Sequence, residues 1–233
     1  MQAGKLSALG KMSAGISHEL NQPLMAIRSF AENGEQFFDR GKPERARDNL
    51  GKISELARRM GRIIQNLRAF ARQESGPVTD VDLVDVIDAS LEMTADKIHR
   101  HEVELVYDRP HLPIMVRGGE VRLQQVVVNL VSNAVDAMSD APERRLSLTL
   151  DTDGPAVRLT VRDSGPGIAD PDRVFDPFYS TKEVGAAEGM GLGLSISYGL
   201  VQSFGGAIKG LNHPEGGAAF TVELVPAGLE VAA

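Results

Sequence analysis

The chain has 233 residues, enough for one large domain or two modest ones, and its apolar share of 42% is ordinary for a soluble globular protein. It contains no Cys, which excludes disulfides, thiolate zinc sites and cysteine nucleophiles. A formal net charge of -7 disfavours sequence-independent nucleic-acid binding, which depends on Lys and Arg neutralising phosphates. From the N-terminus, Leu6, Leu9, Ile16, Leu20, Leu24, Ile27 and Phe30 recur at threes, fours and sevens, which marks one stripe of a helix. After the breaker-rich Asp39 to Pro43, the run Ala46, Leu50, Ile53, Ala57, Met60, Ile64 and Leu67 alternates steps of four and three, the spacing of a helix that packs on other helices. Two such helices form an antiparallel hairpin. One hairpin cannot cover both stripes, so the sequence predicts that two chains pair into a four-helix bundle. Arginines from Arg40 to Arg72 interleave with these apolar positions, as a solvated face or as a docking surface for an acidic partner.

Gln73 to Pro77 breaks the helical pattern and separates a helical unit over 1–74 from a second domain over 79–228. Beyond it the pattern predicts helices over 84–98, 120–138 and 192–204. Strands are predicted over 103–107, 114–116, 146–150, 157–161, 207–211 and 219–224, several of them alternating apolar with polar residues. Strands and helices segregated in this way give a two-layer α/β sandwich, and the whole chain is α+β.

Chemistry concentrates in a few stretches. His18 lies in the first helical pattern beside Glu19, with Gln22 four residues on and therefore on the same face. Pro23 removes the hydrogen bond to the Glu19 carbonyl, so a bend there re-aims the turn that carries the histidine. Neutral imidazole has a lone pair that can attack phosphorus, and Glu19 is placed to take or orient the proton of the other ring nitrogen. Asn129 and Asn133 share one face of a later helix, opposite Val126, Val127, Leu130 and Ala134. Their amide oxygens suit magnesium, although two asparagines also serve as plain hydrogen-bonding groups.

Asp163 ends an alternating strand and enters Ser-Gly-Pro-Gly-Ile, where Gly165 and Gly167 let backbone approach a ring and the carboxylate can accept the exocyclic amine of adenine. Gly189, Gly191 and Gly193 precede a helix whose free N–H groups favour phosphate. No Gly-x-x-x-x-Gly-Lys-Ser/Thr occurs, so phosphate binding does not use a P-loop. Between the glycine stretches, residues 173–188 read as a hinged cover. Phe175 and Phe178 anchor that cover or simply fill core, and Lys182 meets phosphate oxygens or solvent.

In this order the stretches resemble the H-box, N-box, first glycine box, phenylalanine box and second glycine box of two-component sensor histidine kinases, over nearly the whole chain. The form Ser-His-Glu-Leu-Asn-Gln-Pro-Leu at 17–24 looks most like the sensors of nitrogen regulation and four-carbon dicarboxylate transport. The resemblance implies a homodimer that phosphorylates His18 from ATP with Mg2+ and passes the phosphoryl group to an aspartate on a response-regulator receiver domain. It also implies an adenine pocket of the kind shared by gyrase, mismatch-repair ATPases and heat-shock chaperones. By motif position, Glu19 is the base, Asn133 the metal ligand, Asn129 a neighbour of the phosphates and Asp163 the adenine partner. Many relatives carry Thr or Asn four residues after the histidine to position a water for dephosphorylating the regulator. Here that residue is Gln22, with a longer side chain, and phosphatase activity stays open.

No apolar run approaches the ~20 residues that span a bilayer, so no membrane contact is expected of this stretch. The expected location is cytoplasmic, as the inner part of an inner-membrane sensor or as a sensor that takes its input from another protein. Two other readings remain at this point: a protein serine kinase or ATPase on the same nucleotide fold, and a non-catalytic scaffold.

Overall fold

The first apolar stripes fold as two helices, α1 (Gln2–Asp39) and α2 (Pro43–Ala71), packed on one another. The turn between them uses Gly41 at a φ of 68°, where a side chain would be strained, and Pro43 starts α2 at a position that needs no N–H donor. The computed structural model describes residues 2–71, 77–177, 179 and 191–228; in the helices, the side chains of 2–19, 59, 62, 63 and 65–71 fall outside the description. Ala46 and Asn49 are buried between the helices, and Arg45 and Lys52 lie over the rings of Phe37 and Phe30. Leu24, Leu50 and Phe38 remain 52%, 65% and 71% exposed, so the hairpin leaves part of its own stripe uncovered. α1 continues unbroken through Pro23.

The chain divides into two compact units, Met1–Gln73 and Glu74–Ala233. In the second unit, β2 (Glu104–Tyr107), β4 (Arg145–Asp151), β5 (Val157–Asp163), β6 (Ala207–Asn212) and β7 (Ala218–Leu224) form one sheet in the order β2-β4-β5-β7-β6. β2 runs parallel to β4 and every other pair is antiparallel. Helices α3 (Leu83–Arg100), α4 (Glu120–Ala137) and α5 (Gly193–Ser203) make the second layer. Strict alternation sets the core: Val157, Leu159 and Val161 of β5 and Phe220, Val222 and Leu224 of β7 point inward against Leu123, Leu130 and Val131 of α4.

β1 (Thr79–Asp82) and β3 (Met115–Gly118) form a second, two-stranded sheet, bridged at Val116 to Pro226 in the chain that follows β7. β1 is not among the strands predicted above, because Thr-Asp-Val-Asp offers only Val81 to the core and a single apolar residue has no period. Asp82 then ends the strand and caps α3: its carboxylate accepts the N–H of Val84 at 3.0 Å and of Ile114 at 3.1 Å. Among the described residues no helix is long and apolar enough to cross a membrane.

Candidate nucleotide site

The alternation of β5 puts Asp163, its last residue, on the buried phase at the end of the central strand, where it is 3% exposed. An unpaired carboxylate there would be costly. Its Oδ1 accepts the backbone N–H of Gly165 at 2.9 Å and of Ala218 at 3.2 Å. Its Oδ2 accepts no hydrogen bond from the described residues. Burial holds the carboxyl above its ordinary range, while the two N–H groups and the Arg162 guanidinium pull the other way.

The chain then turns through Gly165 and Gly167. A Cβ on Gly165 would stand 2.9 Å from Asp163 Oδ1 and 3.1 Å from the Ala137 carbonyl oxygen, so only glycine fits between the acid and the end of α4. Gly167 takes a φ of 85°. At the other end of the site, Asn129 of α4 donates through Nδ2 to the Gly193 carbonyl at 3.3 Å and to Ser197 Oγ at 3.4 Å. α4 therefore touches both glycine stretches: Asn129 meets the second and Ala137 the first. Asn133 lies one turn from each on the same face, half-buried, and its amide has no hydrogen-bond partner among the described residues.

Gly191, at a φ of 64°, leads into α5, whose first turn has no side-chain cap and so keeps its N–H groups for a ligand. Phe175, at the start of the expected cover, packs on Tyr198 of α5 at 5.6 Å and on Phe220 of β7 at 6.2 Å between ring centroids. Phe178, Lys182 and Gly189 lie outside the described residues. His18 and Glu19 lie on the backbone of α1, their side chains outside the description; Gln22 is half-buried and already engaged, and Pro23 is buried.

Sequence reading missed Ala218 and Asn212, which hold the Asp163 loop from β7 and β6, Gly217, which passes too close to Asp163 for a side chain, and the ion pair of Lys97 with Asp136 at 2.5 Å on the asparagine face of α4. No local pattern announces them, since each partner is distant in the chain. The donor set fits a magnesium nucleotide. A buried acid has one open oxygen, glycines stand where a Cβ would collide, an open amide is a hard neutral ligand for Mg2+, and a helix start offers its N–H groups.

Comparison with known proteins agrees with this geometry. Residues 8–76 match the His Kinase A (phospho-acceptor) domain, and residues 118–228 match the histidine kinase-, DNA gyrase B- and HSP90-like ATPase family. The chain is 45% identical over its full length to the C4-dicarboxylate transport sensor protein DctB of Pseudomonas aeruginosa, covering 38% of it. It is 34% identical over 96% of its length to DctB of Rhizobium meliloti, covering 36% of it. The chain thus spans little more than a third of these relatives.

Among solved structures, histidine kinase ThkA in complex with response regulator protein TrrA aligns over 96% of this chain and 64% of that chain, at 26% identity and a TM-score of 0.77. ShkA in complex with AMPPNP aligns over 96% of this chain and 47% of that chain, at 25% identity and a TM-score of 0.57. With a phospho-acceptor region followed by an ATPase-type region, each where its motifs stand, the chain belongs to the sensor histidine kinase family.

Proposed function

We propose that the chain is an ATP-dependent protein histidine kinase module that phosphorylates His18 and passes the phosphoryl group to an aspartate of a response-regulator receiver domain. The observation that carries this reading is the way α4 joins the two glycine stretches, with the open amide of Asn133 between a buried acid and an uncapped helix start. In this reading Asp163 Oδ2 accepts the adenine amine, and Gly165 and Gly167 admit the ring. Asn129 keeps α5 in place. The amide oxygen of Asn133 would hold Mg2+, which would offset the charge of the phosphates; Gly189, Gly191 and Gly193 would offer them N–H groups, and Phe178 and Lys182 are assigned to the same nucleotide by motif position.

The neutral imidazole of His18 forms a nitrogen–phosphorus bond as the bond from the terminal phosphorus to its bridging oxygen breaks, and ADP leaves. Glu19 takes the proton from the other ring nitrogen. Gln22 is the candidate for orienting water when the regulator is dephosphorylated. The AMPPNP in the ShkA structure and the TrrA regulator bound to ThkA support the choice of ATP and of a receiver domain.

The uncovered Leu24, Leu50 and Phe38 support pairing of two hairpins into a bundle, with 1–74 as the phosphotransfer unit and 79–228 as the ATP-binding unit. The transport-sensor relatives, of which the chain spans little more than a third, support reading it as the cytoplasmic module of a longer sensor protein. Incubation with γ-labelled ATP and magnesium tests the reading. Label that is acid-labile and base-stable is expected, whereas acid-stable label would mean a hydroxyl acceptor and would overturn the assignment of His18. Light scattering at micromolar concentration is expected to give the mass of a dimer.

A further inference from the structure

The segment from Asp163 to Ile168 is held at both ends by one hairpin. At its start, Ala218 of β7 donates its N–H to Asp163 Oδ1 at 3.2 Å. At its end, the side chain of Asn212, the last residue of β6, grips one residue twice: Ile168 N–H donates to Asn212 Oδ1 at 2.5 Å, and Asn212 Nδ2 donates to the Ile168 carbonyl at 2.9 Å. Asn212 and Ala218 are themselves cross-strand partners in the β6–β7 register. Two neighbours across one ladder therefore fix where the acid and its glycine turn begin and end.

Two glycines make this contact possible. A Cβ on Gly167 would stand 2.6 Å from Asn212 Oδ1, so a side chain there would push the clamp open. Gly217, at a φ of 82°, lies so close to Asp163 that a Cβ would fall on its carbonyl. The hairpin end is closed by its own turn, with His213 N–H donating to the Gly217 carbonyl at 2.9 Å, and is tied to β5 by Glu215 and Arg162 at 3.1 Å.

We propose that Asn212 is a positioning residue for base recognition: its amide replaces a missing rung of β-ladder and sets the distance from Asp163 Oδ2 to the exocyclic amine of the purine. This rests on the reading of Asp163 as the adenine partner. A reciprocal side-chain-to-backbone pair constrains both the position and the rotation of Ile168, which a single hydrogen bond does not. Losing it leaves the acid in place but frees the turn that presents the ring to it.

The test uses the whole chain with magnesium and compares ATP with purine riboside 5′-triphosphate, which lacks the 6-amino group, by competition against a fluorescent nucleotide. The ratio of their Kd values reads amine recognition alone. The parent is expected to prefer ATP by about tenfold or more, as for loss of a hydrogen bond to a charged acceptor. N212A, and N212D, which keeps an acceptor but loses the donor, are expected to bring that ratio to within about threefold of unity while purine riboside triphosphate binds as in the parent.

D163N separates the two readings. If D163N retains the parent's preference, or the parent has none, the assignment of Asp163 fails. If D163N abolishes the preference and both Asn212 variants keep it within twofold, the positioning role fails alone. Equal weakening of both ligands, or failure of both variants to fold, would make Asn212 a purely structural residue and would also overturn the proposal.

Discussion

Replacing Asp163 by Asn separates what this side chain does for the fold from what it does for the base. Oδ1 accepts the N–H groups of Gly165 and Ala218 at 2.9 and 3.2 Å, and the amide oxygen of Asn accepts both equally well. Oδ2 becomes an NH2 group that points a donor at the adenine amine and cannot accept from it. A hydrogen bond to a charged acceptor contributes about 1.5–3 kcal/mol, so at about 1.4 kcal/mol per tenfold the Kd for ATP rises roughly 10- to 150-fold. Stability moves in the opposite direction. Burial raises the carboxyl above its ordinary 3.8, so the folded chain binds this proton more tightly than the unfolded chain does. Its contribution to stability therefore falls as pH rises from that ordinary value through the folded one. Above the folded value the penalty is complete, and D163N removes it. The variant is expected to melt above the parent at neutral pH, with the gap closing as pH falls toward 3.8. Calorimetric titration with magnesium AMPPNP and scanning calorimetry across pH measure the two effects. A Kd within threefold of the parent, from a variant with unchanged circular dichroism, would refute the reasoning.

G217A places a Cβ against the Asp163 carbonyl at a φ of 82°, and strain plus overpacking are expected to cost about 3 kcal/mol. G216A, at a φ of 95° with open space around it, should lose only the backbone part, about 1 kcal/mol; equal melting of the two variants in urea would remove the collision from the account. K97M takes from Asp136, whose side chain is 9% exposed, its cationic partner at 2.5 Å, at an expected cost of roughly 2 kcal/mol. K97M/D136N should recover part of this, and a double-mutant cycle that shows no coupling between the two sites would deny the pair any role. H18A is expected to abolish phosphorylation and leave the Kd for AMPPNP unchanged, whereas D163A loses both. Parallel loss of binding in H18A would contradict that division.

Most elements were legible because a packed stripe must repeat. The helices of the hairpin and the strands β4, β5 and β7 each carry enough apolar residues to define a period, and their ends fall within a few residues of the expected ones. β1 was not legible, since its burial rests on Val81 and on pairing with β3, a partner that lies beyond a whole helix. The site divides the same way. Asn129 and Asn133 are visible at helical spacing, and Asp163 is visible because it continues the buried phase of Val157, Leu159 and Val161. What holds them is not visible. Ala218 reaches Asp163, and Asn212 reaches Ile168, only because β7 lies beside β5 and β6 beside β7.

The position of α4 explains why so little side-chain chemistry suffices. Its Asn129 contacts the second glycine stretch and its Ala137 the first, so the two ends of the candidate site are set on one rigid rod. Eight residues of helix advance about 12 Å, a separation fixed by backbone hydrogen bonds and not by packing of any one side chain. Asn133 then stands between the ends by helical repeat alone. At Gly165 a glycine is needed because the rod comes so close: a Cβ there would meet the Ala137 carbonyl at 3.1 Å, whereas at Gly193 it would make only an ordinary contact with Asn129 at 3.7 Å. Close approach at Gly165 and ordinary contact at Gly193 mean that backbone sets the spacing at the first end, whereas at the second the Asn129 side chain bridges to the Gly193 carbonyl.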